Sequence, residues 1–337
     1  MRWLLLPVVL VLTACTAAPT PAPPSEPALS FTAFQSQGSD PAIMDASASA
    51  ISVLAIDGVN FAPSTGGLVV QPQGVSAVEP SALELLDHAH EKGLRAELMV
   101  GNFDNDLGDF SAELADEALT MTARPATVDE IVQLVDEQGW DGVNIDVEAI
   151  NGELTNGLTA FASDLREALP ADKTVSIALP LKDSTEAYFD AGFDLEALAQ
   201  HIDRFVLMAY DQHGPWEDIP GPIAELEWQR AGLDALLESI DAEKVELGVA
   251  GYGYAWGPSG SDGQLSLAQA RLLAGDQAQW NADAGEWFAM LDDGTEVWWS
   301  DGRSFAERVT MAKDAGVAGV ALWSLEQGDP VTSADLK

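Results

Sequence analysis

A single cysteine, Cys15, stands in 337 residues, so no intramolecular disulfide can form and thiol chemistry could rest on that residue alone. Basic residues are scarce as well. Fifteen Lys and Arg face 55 Asp and Glu, a formal net charge of −40, and the acids are spread along the whole chain. Such a surface repels phosphate backbones, which sets nucleic acid aside as a partner, and it disfavours anionic cell-wall polymers unless the binding cleft is locally neutral. Histidine is equally sparse, at four. His88 and His90 lie two apart on an expected helix, so they do not share a face and read as surface residues. His201 has no carboxylate or thiol pattern around it, and neither a metal site nor another cofactor is expected. The glycine-rich turn of a dinucleotide fold is missing after the first expected strand.

Long apolar runs are also missing. The stretch Trp3–Leu12, preceded by Arg2, is too short to span a bilayer and reads as a secretory signal. Leu12-Thr13-Ala14-Cys15 resembles a bacterial lipobox, in which the cysteine is lipidated after cleavage. Residues 1–15 are therefore expected to be a lipoprotein-type leader. Five prolines in residues 16–27 (Pro19, Pro21, Pro23, Pro24 and Pro27) make a stiff linker. This organisation implies export and a lipid anchor in the cell membrane on its extracytoplasmic side. The rest, residues 28–337, is expected to form one folded unit that acts as a monomer.

What is present is a hydrophobic fraction of 47% with 10 Trp, enough for a large core. Strand-like runs alternate with helix-like ones. Strands are expected at 29–35, 51–56, 94–100, 142–148, 174–179, 204–210, 245–250 and 319–323. Thr127 and Glu130 form a capping box for a helix over 127–138, a second helix spans 222–240, and a third spans 304–315 and stops at Gly316. Eight strands over this length suit an α/β fold, a (β/α)8 TIM barrel, with an open doubly wound sheet as the alternative. Residues 257–300 are too long for an ordinary connection and read as a small insertion between the seventh strand and its helix, with Asp292-Asp293-Gly294 as a hairpin turn.

The chemistry concentrates at Asp141-Gly-Val-Asn-Ile-Asp-Val-Glu148. Val143, Ile145 and Val147 alternate with Asn144, Asp146 and Glu148, so the three polar groups point one way from a buried strand. Two neighbouring carboxylates on an interior face are costly without a purpose, and their repulsion leaves a protonated acid beside an ionised neighbour. In a barrel such groups belong at the C-terminal strand ends. There the sixth strand offers Met208, Tyr210 and Asp211 and the eighth offers Trp323, which makes a plausible sugar site: acid, orienting hydroxyl and an apolar floor for a pyranose ring.

These residues resemble the family 18 glycoside hydrolases. The fourth-strand pattern Asp-x-x-Asp-x-Asp-x-Glu is matched by Asp141, Asp146 and Glu148 and departs at Asn144. Met-x-Tyr-Asp is matched by Met208, Tyr210 and Asp211, and the terminal tryptophan by Trp323. The resemblance runs from Leu29 to Pro330. It is nearest to the branch of spore-cortex and cell-wall lytic N-acetylglucosaminidases through Met208–Trp216, Pro220–Ala224, Leu247–Tyr254 and Val297–Asp301. It implies an N-acetylhexosamine-containing glycan as substrate, peptidoglycan or chitin-type, and retaining hydrolysis in which the substrate's own acetamide is the nucleophile. Glu148 would be the acid and then the base, Asp146 the residue that holds the acetamide, and Tyr210 the donor to its carbonyl. Asn144, Met208, Asp211, Trp323, Trp216 and Trp256 would bind substrate, with Asp141 in support. Asn144 is expected to orient Asp146 and to alter the acid limb of the pH profile.

Bland readings stand beside weaker signals. His213 lines the cleft or faces solvent, Trp298 and Trp299 pack in a core, and Glu97, Asn102, Asp57 and Asn60 are further sugar-contact candidates. The competing functions are a non-catalytic, lectin-like barrel and a solute-capture lipoprotein, neither of which needs the Asp146–Glu148 pair.

Overall fold

The computed structural model describes residues 29–61, 68–70, 78–260 and 263–337. The expected leader, the linker and Cys15 lie outside the described residues. Eight parallel strands close into a barrel: β1 (Ser30–Gln35), β2 (Val53–Phe61), β3 (Arg95–Gly101), β4 (Gly142–Asp146), β5 (Thr174–Pro180), β6 (Arg204–Met208), β7 (Val245–Ala250) and β8 (Gly319–Trp323). Each pairs with its sequence neighbour, and β1 pairs with both β2 and β8, which closes the ring. This is a (β/α)8 TIM barrel.

Strand alternation separates two cores. Leu54, Ile56, Leu98, Val100, Val143, Ile145, Ile177, Phe205 and Leu247 face the surrounding helices. Inside the barrel, Phe34, Ala55, Met99, Val206 and Ala321 form an apolar layer under Trp323. Beneath it, towards the N-terminal strand ends, lies a polar layer. Arg204 bonds Glu97 at 2.5 Å and stands 3.4 Å from Glu246, while Thr174 and Ser176 donate to Glu97 at 2.5 and 2.7 Å. Buried charge is tolerated there because every ion has a partner.

Some local expectations change. The helix expected at 127 begins at Arg124, where Pro125 stands in the first turn. Thr127 therefore lies inside the helix, its hydroxyl directed at the Ala123 carbonyl at 3.4 Å, and no side chain caps the N-terminus. The helix expected over 222–240 is Leu226–Leu237. Gly302–Ala315 does end at Gly316, whose φ of 70° requires the left-handed conformation.

The connection after β7 is a second sheet rather than a loop. Five antiparallel strands, Leu265–Ser266, Tyr252–Trp256, Glu296–Trp299, Glu286–Met290 and Gln279–Asn281 in spatial order, pack against helix Leu267–Ala274. It starts at Tyr252, upstream of the expected residue 257, and Asp292–Gly294 turns between two of its strands. Trp298 stacks on Phe288 at 5.2 Å and Trp299 on Trp287 at 6.1 Å, so both tryptophans belong to the core of this sheet.

Candidate active site

The C-terminal ends of the strands surround a cleft of about 480 Å³. Asp146 and Glu148 come from β4 and the segment after it, Met208 from β6, Tyr210 and Asp211 from beyond β6, and Trp323 from β8. The fold thus gathers six of the residues expected from sequence around one cavity. Trp323 leans against Phe34 with ring centroids 5.5 Å apart, which fixes an indole at the cleft floor.

Regular β4 ends at Asp146, so Glu148 is placed by something other than strand pairing. Asn102, fully buried beyond β3, supplies it. Its Oδ1 accepts from the Glu148 N–H at 2.8 Å, and its Nδ2 donates to the Glu148 carbonyl at 2.8 Å and to the Ser111 carbonyl at 2.9 Å. The clamp faces a backbone that L-residues avoid: Ala149 has φ of 55°. Asp211, after Tyr210, shares this feature with φ of 62°, and is held by Tyr252 and Tyr254, whose hydroxyls donate to its Oδ1 at 2.6 and 3.0 Å. The insertion thus anchors one wall of the cleft, and it adds Gln264 to the lining.

The electrostatics separate the acids. Burial, and then the charges of Asp146, Asp211 and Asp109, push the Glu148 carboxyl well above the ordinary range. The shift favours the protonated form, the one able to donate a proton. Burial and then Asp57 raise Asp146 to about 7, while burial and Glu326 raise Asp57 to about 6. Burial raises Asp211 against the two tyrosine hydrogen bonds that favour its anion.

Several sequence expectations need correction. Asn144 is fully buried below the cleft, where its Nδ2 donates to Ser176 at 2.7 Å and its Oδ1 has no hydrogen-bond partner. It neither lines the cleft nor bonds Asp146. Trp216 is 63% exposed and packs edge-on to Tyr254 at 5.7 Å, outside the cleft lining. Trp256 is also outside it, with its indole N–H shared between the Gly214 and Glu217 carbonyls, both at 3.2 Å. Asp141 sits at the opposite end of the barrel, accepting from the Ala96 N–H at 2.9 Å and meeting His90 at 3.0 Å, so its support is structural. Glu97 belongs to the lower ion layer and His213 pairs with Glu217 at 2.9 Å. Asp57 and Asn60 line an adjoining recess rather than the main cleft.

Sequence reasoning missed Trp228, Asp109 and Phe110 in the lining, along with the clamp made by Asn102. Trp228 stands in the first turn of Leu226–Leu237, beside an apolar stripe that conceals a cleft tryptophan among core residues. Asn102 works through backbone atoms, which leave no pattern in side-chain spacing.

Comparisons with known proteins agree with this geometry. The model of the family described as "Glycosyl hydrolases family 18" matches residues 64–328. The "Uncharacterized glycosylase YvbX" of Bacillus subtilis is 26% identical over 256 residues, 71% of this chain and 73% of that protein. The "Cortical fragment-lytic enzyme" of Bacillus anthracis is 26% identical over 248 residues, 68% of this chain but only 56% of that protein. A solved chitinase from Chromobacterium violaceum superposes with a TM-score of 0.79 at 25% identity, covering 92% of this chain and 98% of its own. With more than three quarters of its length matched by the family model, the chain belongs to glycosyl hydrolases family 18, a family of glycosidases.

Proposed function

We propose that this protein hydrolyses β-linked N-acetylhexosamine glycans with retention of configuration, using the substrate's acetamide as nucleophile. The observation that carries the reading is the placement of Glu148: a half-buried carboxyl whose pKa is raised by burial and then by its acidic neighbours, facing the same cleft as Asp146, Tyr210 and Trp323. Glu148 gives its proton to the glycosidic oxygen as the bond to the anomeric carbon breaks. The acetamide carbonyl oxygen closes on that carbon to form an oxazolinium ion. Asp146, as the anion, accepts from the acetamide N–H and balances the positive charge, and Tyr210 donates to the acetamide oxygen. Water then attacks while Glu148, now a carboxylate, takes its proton back. Ordinary retaining enzymes use a carboxylate nucleophile instead. Trp323 and Trp228 give the sugar rings apolar faces to lie on.

Among the described residues no Lys, Arg or His lines the cleft, whereas Asp109, Asp146, Glu148 and Asp211 do. This supports uncharged N-acetylglucosamine oligomers over strands carrying free carboxylates. The likeness to a cortical fragment-lytic enzyme supports a peptidoglycan strand as the second reading. Both are tested together by offering N-acetylglucosamine oligomers and purified peptidoglycan strands to the full chain and identifying products by mass spectrometry, with Glu148→Gln as control. Products lost in the variant identify the glycan; binding without products, unchanged in Glu148→Gln, would instead point to a lectin-like barrel.

We further propose that residues 1–15 export the chain and that Cys15 carries the lipid, a reading supported by Leu12-Thr13-Ala14-Cys15 and the prolines that follow. Incorporation of labelled fatty acid that persists in Cys15→Ala would reject it.

A further inference from the structure

Strict alternation along β2 would turn Asp57 and Val59 inward and Asn60 outward. The pairing with β3 shifts register between Asp57 and Val59, a bulge centred on Gly58. A Cβ at Gly58 would stand 2.3 Å from Leu98 Cδ1, so a larger residue there would have to displace the Leu98 side chain. The consequence of the bulge is that Val59 packs in the outer core at the edge of the recess, while Asp57 and Asn60 both face the barrel mouth. There they line a recess of about 260 Å³ together with Asp146, Ser36 and Trp323.

Within this recess Asn60 is already engaged, its Oδ1 accepting from the Phe103 N–H at 2.9 Å. Asn144, the residue two before Asp146 on its own strand, is tied to Ser176 and as an amide binds no extra proton. The Oδ1 of Asp146 is buried and has no hydrogen-bond partner among the described residues. We propose that Asp57 is the carboxyl partner of Asp146: the two titrate as a pair, and the charge on Asp57 sets the pH at which Asp146 becomes the anion the reaction uses. Asp57 is thereby a positioning residue that acts through Asp146, and the inference rests on the role given to Asp146 above.

The charged surroundings are all acidic. Asp57 faces Asp146 from β4 and Glu326 from beyond β8, the latter accepting from Ser36 Oγ at 2.6 Å. Asp146 faces Asp57 and Glu148, and Glu148 in turn faces Asp211 and Asp109. Among the described residues no cation lines the recess. Burial raises both members of the pair, Asp57 to about 6 and Asp146 to about 7. Two interacting acids in this range lose their protons in two steps that belong to the pair.

The test reads the carboxyls directly, by carbon NMR of full-length protein labelled at aspartate Cγ, with the Asp146 signal assigned by its loss in Asp146→Asn. In the wild type that signal should titrate in two steps. In Asp57→Asn its midpoint should fall by about one unit as the step shared with Asp57 is lost and only the coupling to Glu148 remains, and Asp57→Glu should restore the wild-type profile. The acid limb of kcat/KM on an uncharged N-acetylglucosamine oligomer should move down with it in Asp57→Asn. An Asp146 titration that Asp57→Asn leaves unmoved overturns the inference, as does a loss of kcat equal at every pH. Should Asp57→Asn not fold, a single-step Asp146 titration in the wild type overturns it alone. The NMR reading needs no turnover, so a wild type that cleaves no N-acetylglucosamine glycan would reject the hydrolytic reading while the pair was still judged on its titration.

Discussion

Replacing Asn102 by alanine tests how the acid is held in place. The change removes three hydrogen bonds, two of them to the main chain of Glu148. Each contributes about 1 kcal/mol net, and a buried group left unpaired costs about 1–3 kcal/mol. Water from the cleft can reach part of the vacated space, so a global loss of about 2–4 kcal/mol is expected in urea denaturation. The larger effect falls on chemistry. Without the clamp, the segment through Ala149, already at φ of 55°, relaxes towards ordinary backbone and carries the Glu148 carboxyl away from the glycosidic oxygen. A displacement near 1 Å costs on the order of 100-fold in rate. The expected signature is therefore a kcat lowered about 100-fold with KM little changed, because the sugar is held chiefly by other residues. Asn102→Asp sharpens the assay. It keeps an acceptor for the Glu148 N–H but sets a buried carboxylate against two carbonyl oxygens, so it should be no better than alanine. A folded Asn102→Ala enzyme with wild-type kcat would refute the argument.

Three other outcomes follow from the same geometry. Trp228→Ala should raise KM for N-acetylglucosamine oligomers while leaving the pH profile in place, read in steady-state kinetics; an unchanged KM would remove Trp228 from the binding surface. Arg308, fully buried, donates to Gln229 at 2.9 Å, to the Ala224, Ala284 and Gly285 carbonyls, and to Glu286 at 3.3 Å. Arg308→Met strands Glu286 and should cost about 3–5 kcal/mol in urea denaturation, with Glu286→Gln in the same chain recovering part. Stability should also fall from pH 5 to pH 8. Asp57 and Asp146 keep protons in the fold up to about 6 and about 7, where an unfolded chain has lost them. Their contribution is complete below the unfolded carboxylate range and is lost as pH rises through the folded values, about 4 kcal/mol of it between pH 5 and pH 8. Asp329, held low by Arg271, acts only below that range and leaves the window untouched. A denaturation midpoint higher at pH 8 than at pH 5 would contradict this.

The barrel was legible because its strands alternate so regularly. Val143, Ile145 and Val147 against Asn144, Asp146 and Glu148 declare both a strand and the two faces it separates. The cleft was legible where function sits on side chains at strand ends, as with Glu148, Tyr210 and Trp323. It was not legible where function passes through the backbone. Nothing in the identity of Asn102 says that it clamps Glu148, and nothing in Tyr252 or Tyr254 says that they hold Asp211. Periodicity also gives no depth along the barrel: Asn144 and Asp146 share a face, yet one lies among the lower polar residues and the other lines the cleft. The insertion began too late in the sequence reading because a single residue, Gly251, separates β7 from Tyr252–Trp256, and one glycine does not announce a change of sheet. Similarly, the bulge at Gly58 rephases β2 and moves Asn60 inward, which a period of two does not foresee.

The central claim is that Glu148 and the substrate's own acetamide perform the reaction together. The most direct measurement follows the anomeric protons of freshly released product by proton NMR, with N-acetylglucosamine oligomers and their de-N-acetylated counterparts as substrates and Glu148→Gln as control. The account predicts that the β-anomer appears first, only from substrate acetylated at the cleaved residue, and not in the variant. Release of the α-anomer, or equal cleavage of the de-N-acetylated oligomer, would contradict it.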